Sequence, residues 1–493
     1  MTATSVDVIV IGAGPVGENV ADRAVQGGLS VTIVERELVG GECSYWACMP
    51  TKALLRDVAA LRAARQVPGA AAAVTGELDV AAVLARRDRF AAHWHDDGQV
   101  DWLDSAGIDL VRGHGRLTGP RTVAVTAPDG AVHTLTARHA VVITTGSTAA
   151  VPPIPGLSEA RAWTSREAVA ASDVPERLAV IGGGVVGSEM ATVYSALGAA
   201  VTLIARDGVL PNVEPFAADH VVASLRAAGV DVRVGAEPTR VSRDGEGPVV
   251  ITLADGGTVV ADELLVATGR RPNTADLGLD SVGLTPGDWL AVDEGLRVVG
   301  GDAGTGTWLY AAGDVNRRAL LTHQGKYQAR ALGDAIAARA AGLPVDLTPW
   351  GRHAVTADER AVPQVVFTDP EVAAVGLTVR AAREAGRQVR TVEYDLGAVA
   401  GAALHADGYA GRASLLIDEQ AGTVVGFTAV GPDVTELVHA ATIAIAGEVP
   451  LERLWHAVPA YPTVSEVWLR LLETAGRPQP GPARQPTTTL VDA

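Results

Sequence analysis

Asp7 to Ile11 (DVIVI) reads as a buried parallel strand, and Gly12-Ala13-Gly14-Pro15-Val16-Gly17 follows it without a spacer. A helix-like run continues to Gly27, a second strand-like run spans Leu29 to Val34, and Glu35 closes it. Strand, glycine turn, helix, strand and acid in this order fit one kind of unit, a βαβ dinucleotide cradle. Gly12 admits the tight turn, Gly14 lets a pyrophosphate approach the backbone, and Gly17 lets helix pack on strand. Glu35 is then placed to accept hydrogen bonds from an adenosine ribose.

The pattern recurs. Leu178 to Ile181 leads into Gly182-Gly183-Gly184-Val185-Val186-Gly187, and a second strand runs from Ala200 to Ile204. Gly182, Gly184 and Gly187 take the same three parts. Two fingerprints predict two dinucleotides, most simply FAD and a nicotinamide nucleotide. The second copy ends in Ala205-Arg206 where the first ends in Glu35. An arginine accommodates a ribose 2′-phosphate, whereas an acid bonds the free hydroxyl. Arg206 therefore predicts NADPH over NADH. The competing reading is a merely solvated arginine, and Asp207 beside it makes the pocket less basic.

Gly40 to Lys52 (GGECSYWACMPTK) holds both cysteines of the 493-residue chain, Cys43 and Cys48, just ahead of a helix-like run from Lys52 to Ala64. A loop this short removes little entropy from the unfolded chain, so a Cys-x4-Cys pair is a poor staple. It also lacks the second ligand pair of a structural zinc site. Near a helix N-terminus the backbone N–H groups favour a thiolate, the reactive form of sulfur. The spacing and position point to a redox pair.

Composition narrows the rest. With 48% apolar and 20% charged residues, the chain has ample core material for about three domains. A net charge of −17 argues against nucleic acid or an anionic membrane surface as partner. No run is long enough to span a bilayer and no signal peptide is visible, which together with a reducible cysteine pair fits the cytoplasm.

From Asp7 to Glu466 the chain resembles the flavoprotein disulfide reductases, the pyridine nucleotide–disulfide oxidoreductases that include dihydrolipoyl dehydrogenase, glutathione reductase and mercuric reductase. The two fingerprints and the cysteine segment carry the resemblance. So do Thr144-Thr145-Gly146-Ser147, Ala267-Thr268-Gly269-Arg270-Arg271-Pro272-Asn273, Ala312-Gly313-Asp314-Val315 and Val366-Phe367-Thr368-Asp369-Pro370-Glu371. It implies an α/β fold: two Rossmann-like dinucleotide-binding domains plus a C-terminal α+β dimerisation domain. The expected boundaries are an FAD-binding part over 1–150, a nicotinamide-nucleotide domain over 151–272 and a return to the FAD-binding part over 273–348. An interface domain over 349–475 and a disordered tail over 476–493, rich in Pro, Gln and Thr, complete the chain.

The resemblance also implies roles. Cys48 is the flavin-proximal sulfur and Cys43 attacks the acceptor. Lys52 and Glu189 form an ion pair where hydride arrives. Thr145 and Gly146 mark the crossover out of the FAD domain and Gly269 the return. Gly313 and Asp314 meet the ribityl and pyrophosphate side of FAD, and the turn Gly113-His114-Gly115 meets the adenine. The helix opened by Thr322-His323-Gln324, running to Ala338, points its positive end at the flavin pyrimidine. A homodimer sharing its active sites across the interface follows, with a small-molecule electron acceptor.

Three positions depart from the family pattern. The C-terminal signature His-Pro-Thr-x-x-Glu reads Tyr461-Pro462-Thr463-Val464-Ser465-Glu466 here. An unperturbed tyrosine ionises near pH ~10 against ~6.5 for histidine, so Tyr461 is a poor proton shuttle at neutral pH. His456 is a substitute candidate, with packing of the Trp455 helix as its plainer use. The usual Asn-x-Gly between the cysteines is Tyr45-Trp46-Ala47, bulk that narrows the disulfide face or offers a stacking surface to a flat substrate. Val185 stands where glutathione reductases carry an aromatic lid. Mercuric reductases also have the tyrosine but need an extra C-terminal cysteine pair, which this tail lacks. The expected function is passage of hydride electrons through flavin and the Cys43–Cys48 disulfide to a disulfide-type acceptor. The alternative is a quinone or metal-ion reductase working directly from flavin, with the disulfide a spectator.

Overall fold

The apolar run after the N-terminus forms strand β1 (Thr4–Ile11), helix α1 covers Pro15–Gln26, and β2 covers Val31–Glu35. The computed structural model describes residues 4–301 and 307–477; residues 478–493 of the tail expected to be disordered lie outside them. Among the described residues the chain divides into two compact units, one of 4–362 with 366–370 and one of 363–365 with 371 onward.

The first unit is built on β1. It pairs parallel with β2 on one side, and on the other with a strand over Val132–Ile143. The sheet continues past β2 to Asp109–Arg112, and past the Val132–Ile143 strand through an antiparallel meander of Thr122–Thr126 and His114–Gly119. Leu309–Ala311 pairs parallel with residues 141–143 as the seventh strand. Ile11 lies level with Val34 and Ile143, so three parallel strands finish together and open a crevice at their carboxyl ends.

Two glycines make the turn out of β1 possible. Gly12 has φ +103°, and a Cβ there would sit 2.6 Å from the Thr144 carbonyl oxygen. A Cβ on Gly17 would fall 2.0 Å from the Gly12 carbonyl oxygen, so α1 can lie this close to β1 only with hydrogen at that position. Behind the sheet, Val20, Ala21 and Ala24 of α1 share one buried cluster with Val8 and Val10 of β1 and with Ala329, Leu332 and Ile336 of the helix Thr322–Ala340.

The second fingerprint repeats this geometry on its own sheet. Asp231–Val234, Ala200–Ala205, Arg177–Ile181 and Glu263–Val266 pair parallel in that order. Gly182 has φ +117°, and a Cβ on Gly187 would meet the Gly182 carbonyl oxygen at 1.9 Å. The two crossovers between the sheets lie side by side, Ser147–Ala149 antiparallel to Arg270–Pro272. Thr145 and Asn273 lock them, each side chain bonding the other's carbonyl at 2.9 Å.

In the second unit Glu371–Gly376, Thr423–Gly431, Arg412–Asp418 and Val389–Asp395 pair antiparallel in that order, with Pro363–Val366 at the edge. The helix Val467–Ala475 covers this sheet, Trp468 stacking on Phe427 with ring centroids 5.0 Å apart. This is the α/β architecture expected. No helix among the described residues is long and apolar enough to cross a membrane.

The glycine geometry separates fold from ligand. Gly17→Ala forces backbone apart and should cost on the order of 4 kcal/mol, giving little folded protein. Gly14 has φ −72° and nothing within 4 Å of its Cβ direction, so Gly14→Ala should keep the fold. Far-UV circular dichroism with retained flavin reads both: folded but flavin-poor is expected for Gly14→Ala, and neither property for Gly17→Ala.

Candidate active site

The crevice at the ends of β1 and β2 is lined by Gly12, Glu35, Gly115, Thr145, His114 and Asn273. Four of the residues expected at the first dinucleotide therefore share one cleft. Glu35 accepts the Ala13 N–H at 2.7 Å through one carboxylate oxygen and the Glu37 N–H at 2.8 Å through the other. Each oxygen keeps a further lone pair, so the carboxylate is held rigid and can still receive a ribose hydroxyl. Gly14 caps α1 with no side chain over the first-turn N–H groups, and Pro15 has no N–H to offer, so the positive helix end is open to an anion. The open space over Gly14 and the fixed acid fit a dinucleotide.

Asp314 opens a short turn after Leu309–Ala311, with Gly313 at φ +80°. Its carboxylate accepts the Ser147 hydroxyl at 2.5 Å, and Arg270 lies 3.8 Å away. The turn is held from behind by a buried polar set that the sequence did not reveal. Gln328 accepts the Gly313 N–H at 2.8 Å and an Asn316 amide hydrogen at 2.9 Å. Gln324 and Gln328 then donate to the two oxygens of buried Asp358, at 2.7 and 2.8 Å. Burial pushes the Asp358 carboxyl up to about 6 against the two amide donors.

At the second fingerprint Gly184 is as open as Gly14, with nothing within 4 Å of a Cβ. Arg206 follows the strand Ala200–Ala205, is exposed, and its guanidinium is paired with Asp207 at 2.8 Å. Val185 begins the helix Val185–Ala196 and is 43% exposed.

The cysteines sit on two short turns of helix. Left-handed Gly40 (φ +105°) and Gly41 (φ +55°) start the helix α2 (Gly41–Tyr45), which carries Cys43. The next helix, α3, spans Cys48–Arg65, four residues earlier than the run expected from Lys52. Pro50 is tolerated because the first-turn N–H groups need no intrahelical partner. Cys48 is thus the first residue of the helix, with Lys52 one turn on.

Both cysteines are thiols in this structure. They share a hydrogen bond, and Cys48 Sγ lies 3.4 Å from the Thr322 hydroxyl. Donation from Cys43, then from Thr322, with the charge of Lys52 adding, pulls Cys48 well below the usual thiol range against its desolvation. Cys43 is held well above the usual thiol range by its bond to Cys48 and by burial. One sulfur is prepared as the anion and the other as the proton carrier. Thr322 belongs to the expected helix, which runs on to Ala340 instead of Ala338; its hydroxyl contact was not anticipated.

Lys52 Nζ donates to both oxygens of Glu189, at 3.0 and 2.7 Å. Glu189 is 2% exposed and also accepts the Phe367 N–H at 2.9 Å, while Lys52 lies over the Phe367 ring at 4.8 Å. The Val366–Glu371 motif thereby gains a physical reason.

The aromatic insertion is engaged within the chain. Tyr45 is buried at 2% exposure, and its hydroxyl donates to the Val39 carbonyl at 2.9 Å. Trp46 is covered by the Arg166 guanidinium at 4.2 Å, and Arg166 is itself held by Glu42 at 2.6 Å and Glu37 at 3.0 Å. An aromatic face next to a cation is already stacked.

In the second unit Tyr461 is 77% exposed and His456 is exposed too; in the first unit His323 is exposed. Glu466 is 5% exposed, with Oε1 4.0 Å from Arg470 and Oε2 unbonded among the described residues.

Residues 6–341 match the family described as pyridine nucleotide-disulphide oxidoreductase, and residues 362–471 match its dimerisation domain. The chain belongs to that family, and is an oxidoreductase that uses a flavin and a nicotinamide nucleotide. It is 34% identical to a mercuric reductase of Shigella flexneri, over 93% of this chain and 79% of the relative. It is 33% identical to a dihydrolipoyl dehydrogenase of Chlorobaculum tepidum, over 94% and 96%. Among solved structures it is similar to LpdA from Mycobacterium tuberculosis, with a TM-score of 0.80 and 26% identity over 96% of this chain and all of that one.

Removing Lys52 leaves a buried carboxylate with one backbone donor. Lys52 is about one-third exposed, so Lys52→Met should cost about 3 kcal/mol, the low end for a broken buried pair. Urea unfolding of the holoprotein measures it, and a loss under about 1 kcal/mol would mean that water replaces the ammonium.

Proposed function

We propose that this enzyme moves electrons from NADPH through FAD to the Cys43–Cys48 disulfide, and from there to a disulfide-type small-molecule acceptor. The observation that carries it is the placing of Cys48 at the head of α3, its Sγ 3.4 Å from the Thr322 hydroxyl and one turn before the Lys52–Glu189 pair, surroundings that favour the thiolate there while burial keeps Cys43 as thiol. Bound flavin would supply hydride acceptance from the nicotinamide and delivery of an electron pair to sulfur. Two electrons and one proton open the disulfide, leaving the anion on Cys48 and the proton on Cys43. Thr322 and Lys52 stabilise that anion, and Glu189 holds Lys52. Lys52, Glu189, Cys43 and Cys48 form the catalytic group, with Tyr461 and Glu466 completing it across a homodimer. Support for that sharing is the exposed apolar run at Val458 and Tyr461, together with Ile443, in the family's dimerisation domain.

NADPH is favoured over NADH because Arg206 ends the strand where an acid would select the free ribose. Its partner Asp207 is equally exposed, so the pair is solvated and the guanidinium is free to turn. Arg206→Ala should raise KM for NADPH roughly tenfold or more, the worth of a charge-assisted bond, and leave that for NADH nearly unchanged. Equal effects on both would reject the assignment.

A second reading sends electrons from flavin directly to a quinone. The open Val185 position and the absence of histidine at Tyr461 favour it. Anaerobic titration with NADPH separates the two. The disulfide route predicts a long-wavelength thiolate-to-flavin band at the first two electrons, persisting below the usual thiol range and fading on further acidification as Cys48 takes up its proton. Bleaching of the flavin without that band would leave the quinone reading.

A further inference from the structure

The turn that carries Cys43 is too short to hold itself. Helix α2 has five residues, and Ala47 (φ −138°, ψ −97°) breaks it from α3. The break falls between the two sulfurs, so Cys43 rides on a segment jointed to the one that carries Cys48. One side chain spans that segment from outside. Arg166 Nε and Nη2 meet the same Glu42 oxygen at 2.8 and 2.6 Å, and Nη2 reaches Glu37 at 3.0 Å. The guanidinium carbon lies 4.2 Å from the centroid of Trp46, which stands in the stretch where this chain departs from the family's Asn-x-Gly. Glu42 and Trp46 flank Cys43 in the chain, so one planar cation grips the turn on both sides of the sulfur. A lone exposed ion pair is worth little, but here two carboxylates and a ring share one half-buried guanidinium. Its mounting is firm. Arg166 stands on the helix Ser165–Ala170, which a Thr164–Glu167 capping box opens. Just before that helix, the Trp163 N–H donates to the Leu264 carbonyl at 2.7 Å and the Trp163 carbonyl accepts the Val266 N–H at 2.8 Å, which joins it to the second sheet. Tyr194 of the helix Val185–Ala196 donates to the Ala168 carbonyl at 2.6 Å, and buried Arg87 donates to the Val169 and Ala171 carbonyls.

Resting on the redox-pair reading, we propose that Arg166 is a positioning residue for the disulfide: mounted on the second sheet, it fixes the Glu42–Trp46 turn so that Cys43 stays against Cys48. A disulfide needs its two sulfurs in contact, whereas the dithiol tolerates their separation. With Arg166 removed, α2 gains freedom about Ala47 in the dithiol, and closing the bond must take that freedom away again. The clamp therefore shifts the equilibrium toward the disulfide. Exchange with oxidised dithiothreitol balances this step: the two protein thiols give up two electrons and two protons, the Cys43–Cys48 bond forms, and the reagent's disulfide opens to its dithiol. Arg166 carries neither electron nor proton in that exchange and acts only on where Cys43 sits.

The test is the thiol–disulfide equilibrium of the holoenzyme in anaerobic buffers of stepped oxidised to reduced dithiothreitol ratio. Free thiols are trapped with N-ethylmaleimide, and the Cys43–Cys48 disulfide is read by peptide mass. Arg166→Met should need about tenfold more oxidised reagent to reach half-disulfide, the worth of a charge-assisted bond. That corresponds to a potential about 30 mV higher. Arg166→Lys keeps the charge but has neither the fork nor the flat face, so it should stay closer to the Met variant than to the parent protein. Flavin absorbance reports folding of each variant. If Arg166→Met fails to fold, Glu42→Ala loosens the clamp from the other side and should move the midpoint in the same direction. A lower melting temperature with an unmoved midpoint overturns the proposal, because the clamp would then be structural only. Full recovery in Arg166→Lys also overturns it, since charge alone would suffice. A parent protein that forms no disulfide at any ratio overturns the redox-pair reading and this proposal with it. A normal parent midpoint with unmoved variants overturns this proposal alone, so the two failures are distinguishable.

Discussion

Glu189 is the point on which the arrangement of the first unit turns. Its carboxylate is almost fully buried and receives donors from two directions, the Lys52 ammonium and the Phe367 amide. Glu189 rides on the second fingerprint helix, Lys52 on the cysteine helix, and Phe367 on the segment between the strands Pro363–Val366 and Glu371–Gly376. A buried carboxylate without these donors would be expensive, so the three segments are held in one geometry. The same lysine then contributes to the charge balance of Cys48 one turn earlier. Structural support and sulfur chemistry are thus served by one side chain.

The sulfur pair shows how asymmetry arises from unequal surroundings. Cys48 has a helix N-terminus, a neighbouring thiol, the Thr322 hydroxyl and Lys52; Cys43 has its bond to Cys48 and burial working against ionisation. Two identical side chains therefore divide into an anion and an acid. That division is what thiol exchange needs, since the thiolate is the reactive form. The aromatic insertion between the cysteines serves rigidity. Tyr45 is anchored to Val39, and Trp46 is clamped by an arginine that also binds Glu42, the residue before Cys43.

Behind the flavin cleft, Asp358 and two glutamines hold the Gly313–Asp314 turn. Gln324 and Gln328 stand four residues apart on one helix and so reach both oxygens of a single carboxylate. Every member of that set is satisfied. Glu18, directly after the first glycine turn, is among the buried residues that are not: its Oε1 has no partner among the described residues.

Much of this molecule was legible in the chain. Alternation of apolar runs with glycine turns set two βαβ cradles, because a close strand–helix contact leaves room only for hydrogen at Gly17 and Gly187. Glu35, Gly115, Thr145 and the cysteine segment were legible because each lies next to a local signature. The helix start at Cys48 was less so, since Pro50 looks like a breaker until its place in the first turn is known. The partners of Tyr45 and Trp46 were not legible because they are Val39 and Arg166, and Arg166 lies 120 positions beyond Trp46 in the chain. Asp358 carries no motif at all, and nothing local marks the Thr322 hydroxyl as the partner of Cys48. The sequence alone determined the cofactor cradles and the redox segment, which are local patterns of size and charge. Only the tertiary structure decided that the Thr322 hydroxyl meets Cys48 and that the Phe367 amide meets Glu189, because neighbours so distant in the chain are set by packing across the fold.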